Sequence, residues 1–284
     1  MYLFTYFKNN GEDGLHLAYS ADGLKYTTLK NDKSFLTPVV GESKLMRDPC
    51  VVRGPDGTFH MVWTTAWQGK TIGYASSRDL ITWTPQRALP VMEHEKDCKN
   101  CWAPEIAIDE KGGHFVIFWA TTIPGRFKET ESGGDNNHRM YCTTTTDFKT
   151  FTPTELFYDP GFNVIDATFY KNGKDLYLIV KDETKNPVRK DLRIAKAESV
   201  TGPFGKLSEP FTPAWVEGPT AVRIGEDCVV FYDAYTKHHY GAIKTRDFQK
   251  WEDITPQISI PRGARHGTII EVSDDVIKPL LAVQ

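Results

Sequence analysis

One short module recurs five times along this chain, and a chain of repeats buries its apolar faces by stacking each unit on the next. The module is a strand-like run, then Ser/Thr residues, an Asp or similar turn residue, an apolar residue and a closing aromatic. It occurs at Ala18–Tyr26, Tyr74–Trp83, Cys142–Phe151 and Ala242–Trp251, with a degenerate copy at Ala195–Phe204. A second series interleaves with it: Arg47-Asp48-Pro49, Trp102-Ala103-Pro104-Glu105, Ile165-Asp166-Ala167, Glu217-Gly218-Pro219 and Arg265-His266-Gly267. From Asp48 through Glu105, Asp166 and Glu217 to His266 the steps are 57, 61, 51 and 49 residues. Periods of roughly 40–50 residues, each with about four strands, are the signature of propeller blades. The predicted fold is all-β, a five-bladed β-propeller occupying residues 1–284 as one domain.

Single blades can be read strand by strand. Asp48–Arg53 is an apolar run closed by the hairpin signal Gly54-Pro55-Asp56-Gly57, followed by Phe59–Trp63, Ile72–Ser77 and a short edge strand at Trp83. Val164–Tyr170 and Leu176–Lys181 flank a turn at 171–175, and Ala221–Ile224 and Cys228–Asp233 flank one at 225–227. No long stretch carries helical periodicity. The chain starts with an aromatic hairpin lacking an inner strand and ends with an inner strand lacking a hairpin. Pairing Thr268–Val272 with Leu3–Phe7 would close the ring and protect both edges.

Composition removes several function classes. With 34 Lys+Arg against 37 Asp+Glu the net charge is −3, and no basic run suits nucleic acid. No apolar stretch approaches the roughly 18 residues of a membrane helix. An aromatic content of 12% suits a β-fold or a ligand cleft. The five Cys are an odd number, and Cys98-x-x-Cys101 with His94 nearby lacks the second ligand pair of a zinc site. The first residues carry no signal-peptide pattern, so the chain is either cytoplasmic or a periplasmic or secreted protein whose leader has been trimmed. A monomer is expected.

Chemistry is expected on the axis. Inner strands surround it, and there Asp48, Glu105, Asp166, Glu217 and His266 would converge. Four carboxylates and an imidazole at one opening are costly as mere packing. Asp22, Asp79, Asp147 and Asp247 instead fall in the outer turns, where an Asp side chain bonds nearby backbone.

Taken in order at blade spacing, the axial motifs resemble glycoside hydrolase family 43 and its five-bladed relatives, across essentially the whole chain. That resemblance implies removal of arabinose, xylose or galactose units from plant-type polysaccharides with inversion. It implies Asp48 as general base, Glu217 as general acid and Asp166 as the carboxylate that tunes and orients the acid. It also implies His266 as an axial histidine that can hold a hydrated calcium or other ion, with no cofactor required. Two departures touch the substrate subgroup: Glu105 stands where Asp is usual, and Ala167 where Pro is usual.

The chemistry fits these residue types. Inversion needs a protonated carboxylic acid and an ionised carboxylate about 6.5–9.5 Å apart, leaving room for water. A neighbouring Asp166 would raise the Glu217 pKa by like-charge repulsion. Sugar faces stack on aromatics, which makes Trp67, Trp102, Phe162, Trp215 and Tyr235 candidate substrate-binding residues alongside Glu105. Arg47 and Arg265 would either hold a carboxylate charged or grip a hydroxyl. The turn-rich insertion Ile123–Asn137 would wall the pocket, and the charged segment Lys181–Lys190 is either a solvated loop or a rim. Two rivals stay open, a non-catalytic glycan-binding propeller and a phosphorylase of the related mannoside family. A sialidase fits less well, because the axial groups are acids and not an arginine cluster.

Overall fold

A computed structural model describes residues 1–131, 133 and 136–283. It begins with β1 (Tyr2–Lys8), β2 (His16–Ser20) and β3 (Thr27–Thr28). The next sheet is β4 (Arg47–Arg53), β5 (Phe59–Thr64), β6 (Ile72–Ser77) and β7 (Arg87–Leu89). The third is β8 (Trp102–Asp109), β9 (His114–Thr122), β10 (His138–Thr145) and β11 (Glu155–Tyr158). The fourth holds β12 (Val164–Asn172), β13 (Asp175–Asp182) and β14 (Asp191–Ala197). The fifth is β15 (Glu217–Ile224), β16 (Asp227–Ala234), β17 (His239–Thr245) and β18 (Glu252–Asp253). The last strand, β19 (Ala264–Glu271), pairs antiparallel with β1, Leu3 facing Ile270 and Thr5 facing Thr268. Five blades therefore form a ring closed by both ends of the chain.

Each blade is an antiparallel meander, its successive strands hydrogen-bonded to one another, and in two blades the first connection is a two-residue turn. Gly173 and Gly225, both with positive φ, hold two-residue hairpin turns, three residues and one residue shorter than the predicted turns. The outer turn repeats atom for atom. Ser77 Oγ accepts the Leu80 N–H at 2.8 Å, while Asp79 Oδ1 accepts those of Ile81 and Thr82 at 2.9 and 2.7 Å. Asp22, Asp147 and Asp247 do the same in their blades, which confirms a structural role.

One expectation needs correction. Trp83 makes only an isolated bridge to Ser77, and the edge strand is Arg87–Leu89 on Ile72–Tyr74. The outer turn spends the Ser76 and Ser77 groups on itself, so ladder pairing resumes only beyond it. A helix, α1 (Asp274–Leu281), also follows β19. Its eight residues are too short for a strong periodic signal, yet Val276, Ile277 and Leu280 are buried in one apolar cluster with Leu3, Leu17, Val51 and Met61. No helix among the described residues is long and apolar enough to cross a membrane.

Candidate active site

Inner strands do not run straight past the axis. Ladder register shifts between Arg47 and Cys50, Trp102 and Glu105, Ile165 and Thr168, and Glu217 and Thr220. Inside each shift one residue is left-handed: Asp48, Ala103, Asp166 and Gly218, with φ between 45° and 58°. A bulge of this kind re-aims side chains, and a left-handed non-glycine residue is strain usually kept for a functional position. Glycine is required in β15, since a Cβ on Gly218 would lie 2.3 Å from the His266 ring.

Aligned on the bulge, Asp48 and Asp166 are equivalent, but Glu217 precedes its bulge by one residue and Glu105 follows its own by two. The even sequence steps concealed three registers. Glu105 is consequently buried beneath the site, accepting a hydrogen bond from Thr168 Oγ1 at 2.9 Å, and is absent from the cavity lining. Its expected place among substrate-binding groups is not what the geometry gives. Burial pushes its carboxyl up to about 7.

Asp48, Asp166, Glu217 and His266 do share one cavity, of about 480 Å³, at the bulged ends of the inner strands. Asp48 accepts the Thr64 hydroxyl at 2.8 Å and lies 3.4 Å from His266 Nδ1. Burial opposes its charge, but His266, Arg47 and Thr64 outweigh that and hold it down at about 2. Burial likewise disfavours the His266 cation, yet Asp166 and Asp48 raise it to about 9, so an imidazolium sits between two carboxyls. Asp166 accepts the Gly218 N–H at 3.0 Å, and burial pushes it up to about 6, with Glu217 and Asp48 adding repulsion.

Glu217 is held differently from the expectation. Arg265 Nη2 donates to it at 3.0 Å and Lys181 Nζ at 3.3 Å, so its closest partners are cations. Arg265 also donates to Asp233 at 2.6 Å. Lys181 is 1% exposed, lies 2.8 Å from Glu183, and rests 4.9 Å from the Tyr235 ring centroid. Neighbouring carboxylates raise its pKa although burial opposes them. Lys190 pairs with the far side of Glu183. Lys181, Glu183 and Lys190 all line the cavity, which favours the rim over the solvated loop for this segment, while the Lys181 contact to Glu217 was hidden because that partner belongs to another blade. The available signal was a lysine ending the apolar run of β13 opposite an acid-bearing strand.

Aromatic walls are built mainly by Trp67 and Trp102, edge to face at 5.6 Å, with the Trp102 indole N–H on the Trp67 carbonyl at 3.0 Å. Arg47 stacks on Trp67 at 4.2 Å and donates to Asn10 at 3.0 Å. Tyr235 also lines the cavity. Phe162 does not reach the cavity; it packs at the edge of the core near Arg193. Trp215 lies outside the lining, beside Tyr235. Of the insertion at 123–137, Asn136 lines the cavity, and positions 132, 134 and 135 lie outside the described residues.

Among the described residues no three His, Cys, Asp or Glu side chains converge so as to hold a metal ion, and His266 Nδ1 is turned to carboxylates. A directly ligated ion does not fit, and no step below runs through one.

A five-bladed ring with carboxyls gathered on an axial, tryptophan-walled cavity defines the class of propeller glycoside hydrolases. The chain belongs to the family described as a probable glycosyl hydrolase domain, related to glycoside hydrolase family 43, which matches residues 1–277. An α-L-arabinofuranosidase of Bifidobacterium longum subsp. longum is 21% identical, over 72% of this chain and 23% of that protein. The chain thus spans less than a quarter of that relative's length. Among solved structures, an α-L-arabinofuranosidase from Lactobacillus brevis superposes with a TM-score of 0.62 at 19% identity, covering 81% of this chain and 80% of the other. An exo-β-1,3-galactanase from Phanerochaete chrysosporium with β-1,3-galactotriose gives 0.56 at 11% identity, covering 72% and 48%.

Proposed function

We propose that the protein hydrolyses a terminal arabinose- or galactose-type glycoside with inversion, Asp48 acting as general base and Glu217 as general acid. The observation that carries this reading is Asp48, a largely buried carboxylate held ionised in the same cavity as Glu217. An ionised carboxylate hydrogen-bonded by Thr64 is suited to take a proton from water. The acid must face the glycosidic oxygen, and Arg265 and Lys181 fix where the Glu217 carboxyl points. Asp166 and the His266 cation complete the charge pattern between base and acid. Arabinose and galactose head the substrate class because the similar proteins named above act on those sugars. Water is the second substrate, and no cofactor takes part.

Removing an acid or base group costs about 10²–10⁴-fold in turnover. Asp48→Asn is expected to lose at least about a hundredfold on nitrophenyl arabinofuranoside or galactoside, and Glu217→Gln at least about a hundredfold on arabino- or galacto-oligosaccharides, whose sugar leaving group needs the acid's proton. Proton NMR of the first product should show the anomer opposite to the substrate. A retained anomer, or near-normal turnover by Glu217→Gln, would sink the proposal. Product formation that depended on phosphate would favour the phosphorylase instead.

A further inference from the structure

Beside the cavity stands an aromatic that the cavity itself does not use. Trp215 is 42% exposed, and its backbone is left-handed with φ 67°, a costly conformation for a bulky side chain. The next residue, Val216, is 1% exposed and donates its N–H to the Lys190 carbonyl at 3.2 Å. The chain is therefore pinned at 216 and turned so that the indole of 215 faces solvent. Trp215 meets Tyr235 edge-on, ring centroids 6.4 Å apart at 64°, and Tyr235 is part of the cavity wall. An apolar surface thus continues from the wall to the indole, and Val188, 47% exposed, belongs to the loop that anchors it.

Position along the chain says which part of a substrate would meet this surface. Trp215 precedes Glu217 by two residues. In glycoside hydrolysis the acid gives its proton to the leaving-group oxygen, so the leaving sugar lies on the acid's side of the cleaved bond. Trp215 lies outside the cavity lining, beside its Tyr235 wall. We propose that Trp215, propped by Tyr235, is a stacking platform for the leaving-group sugar of a neutral oligo- or polysaccharide. The chain is then adapted to cut the end residue from a longer glycan. This rests on Glu217 being the acid, as proposed above.

The test compares substrates that do and do not reach the platform. With the wild type, Trp215→Ala and Trp215→Phe, kcat/KM is measured on α-1,5-arabinotriose and β-1,3-galactotriose, and on the corresponding glycosyl fluorides. A fluoride leaving group is too small to touch the indole. Calorimetric binding of each trisaccharide and of free arabinose and galactose is measured in the Asp48→Asn background. Trp215→Ala should lose about tenfold in kcat/KM and in affinity on the cleaved trisaccharide, and stay within about twofold on the fluoride and the monosaccharide. Trp215→Phe should recover most of the loss. Equal losses on trisaccharide and fluoride, or no loss on either, overturn the platform. Trisaccharide binding that is weakened tenfold by Trp215→Ala in a wild type without turnover would overturn the hydrolase reading but keep the platform. A wild type that neither binds nor cleaves any of these sugars overturns both.

Discussion

Glu105 is a carboxyl whose environment favours its neutral form, since burial lifts it from 4.5 to about 7. Between those pH values the folded state keeps a proton that the unfolded chain has released, so its contribution to stability falls as pH rises through that window. Glu105→Gln cannot titrate yet retains an oxygen for the Thr168 hydroxyl. The variant should therefore lose less stability than the wild type between about pH 4.5 and 7, by on the order of 1–3 kcal/mol. Thermal unfolding at pH 5 and pH 8 measures it, and an unchanged pH slope would refute the assignment. Asp166 and His266 drift in the same direction, so only the difference between the two proteins is diagnostic. Glu105 also marks the limit of what could be read at this scale. Repeat spacing brought Asp48, Asp166, Glu217 and His266 to one cavity, because blade periodicity fixes which end of an inner strand faces the axis. It did not separate Glu105 from them, because a bulge shifts register without leaving a mark in residue spacing. Lys181 was hidden for another reason: its partner Glu217 comes from the next blade, 36 residues further along the chain.

The outer turn is the element that sequence described best, since its Ser/Thr and Asp are bonded to backbone within three residues and need no distant partner. Asp79 illustrates its energetics. One oxygen accepts two backbone N–H groups, and Ala would leave both to solvent. Such bonds contribute about 1 kcal/mol net, so Asp79→Ala should lower unfolding free energy by about 1–2 kcal/mol with kcat/KM unchanged. Urea denaturation with a parallel assay checks both halves, and a loss of activity without a loss of stability would contradict the structural role. Elements made by tertiary context were less legible. The edge strand Arg87–Leu89 exists because the turn has consumed the ladder groups nearer to Trp83, and α1 exists because an apolar cluster waits for Val276, Ile277 and Leu280.

At the scale of the whole molecule, everything depends on the seam between β1 and β19. That seam joins residues 2–8 to 264–271, so the ring is completed only when the two ends of the described chain meet. It also carries Arg265 and His266, hence two groups of the site are placed by the closure itself. At Gly267 the seam leaves no room for a side chain: a Cβ there would stand 1.9 Å from the Thr5 carbonyl oxygen. Backbone cannot retreat as a flexible side chain can, so Gly267→Ala forces the strands apart beside His266. Overpacking of this kind costs typically 1–3 kcal/mol. The expected result is a lower unfolding midpoint together with weakened activity, because His266 moves relative to Asp48 and Asp166. Gly161 is the control. Unlike Gly267 it has positive φ, and nothing lies within 4 Å of its Cβ position, so Gly161→Ala should lose stability through local strain while the site keeps its geometry. Were the two variants to lose activity equally at matched fractions folded, the site would not be held by the seam. If only Gly267→Ala did so, closure of the ring and assembly of the site would be one event.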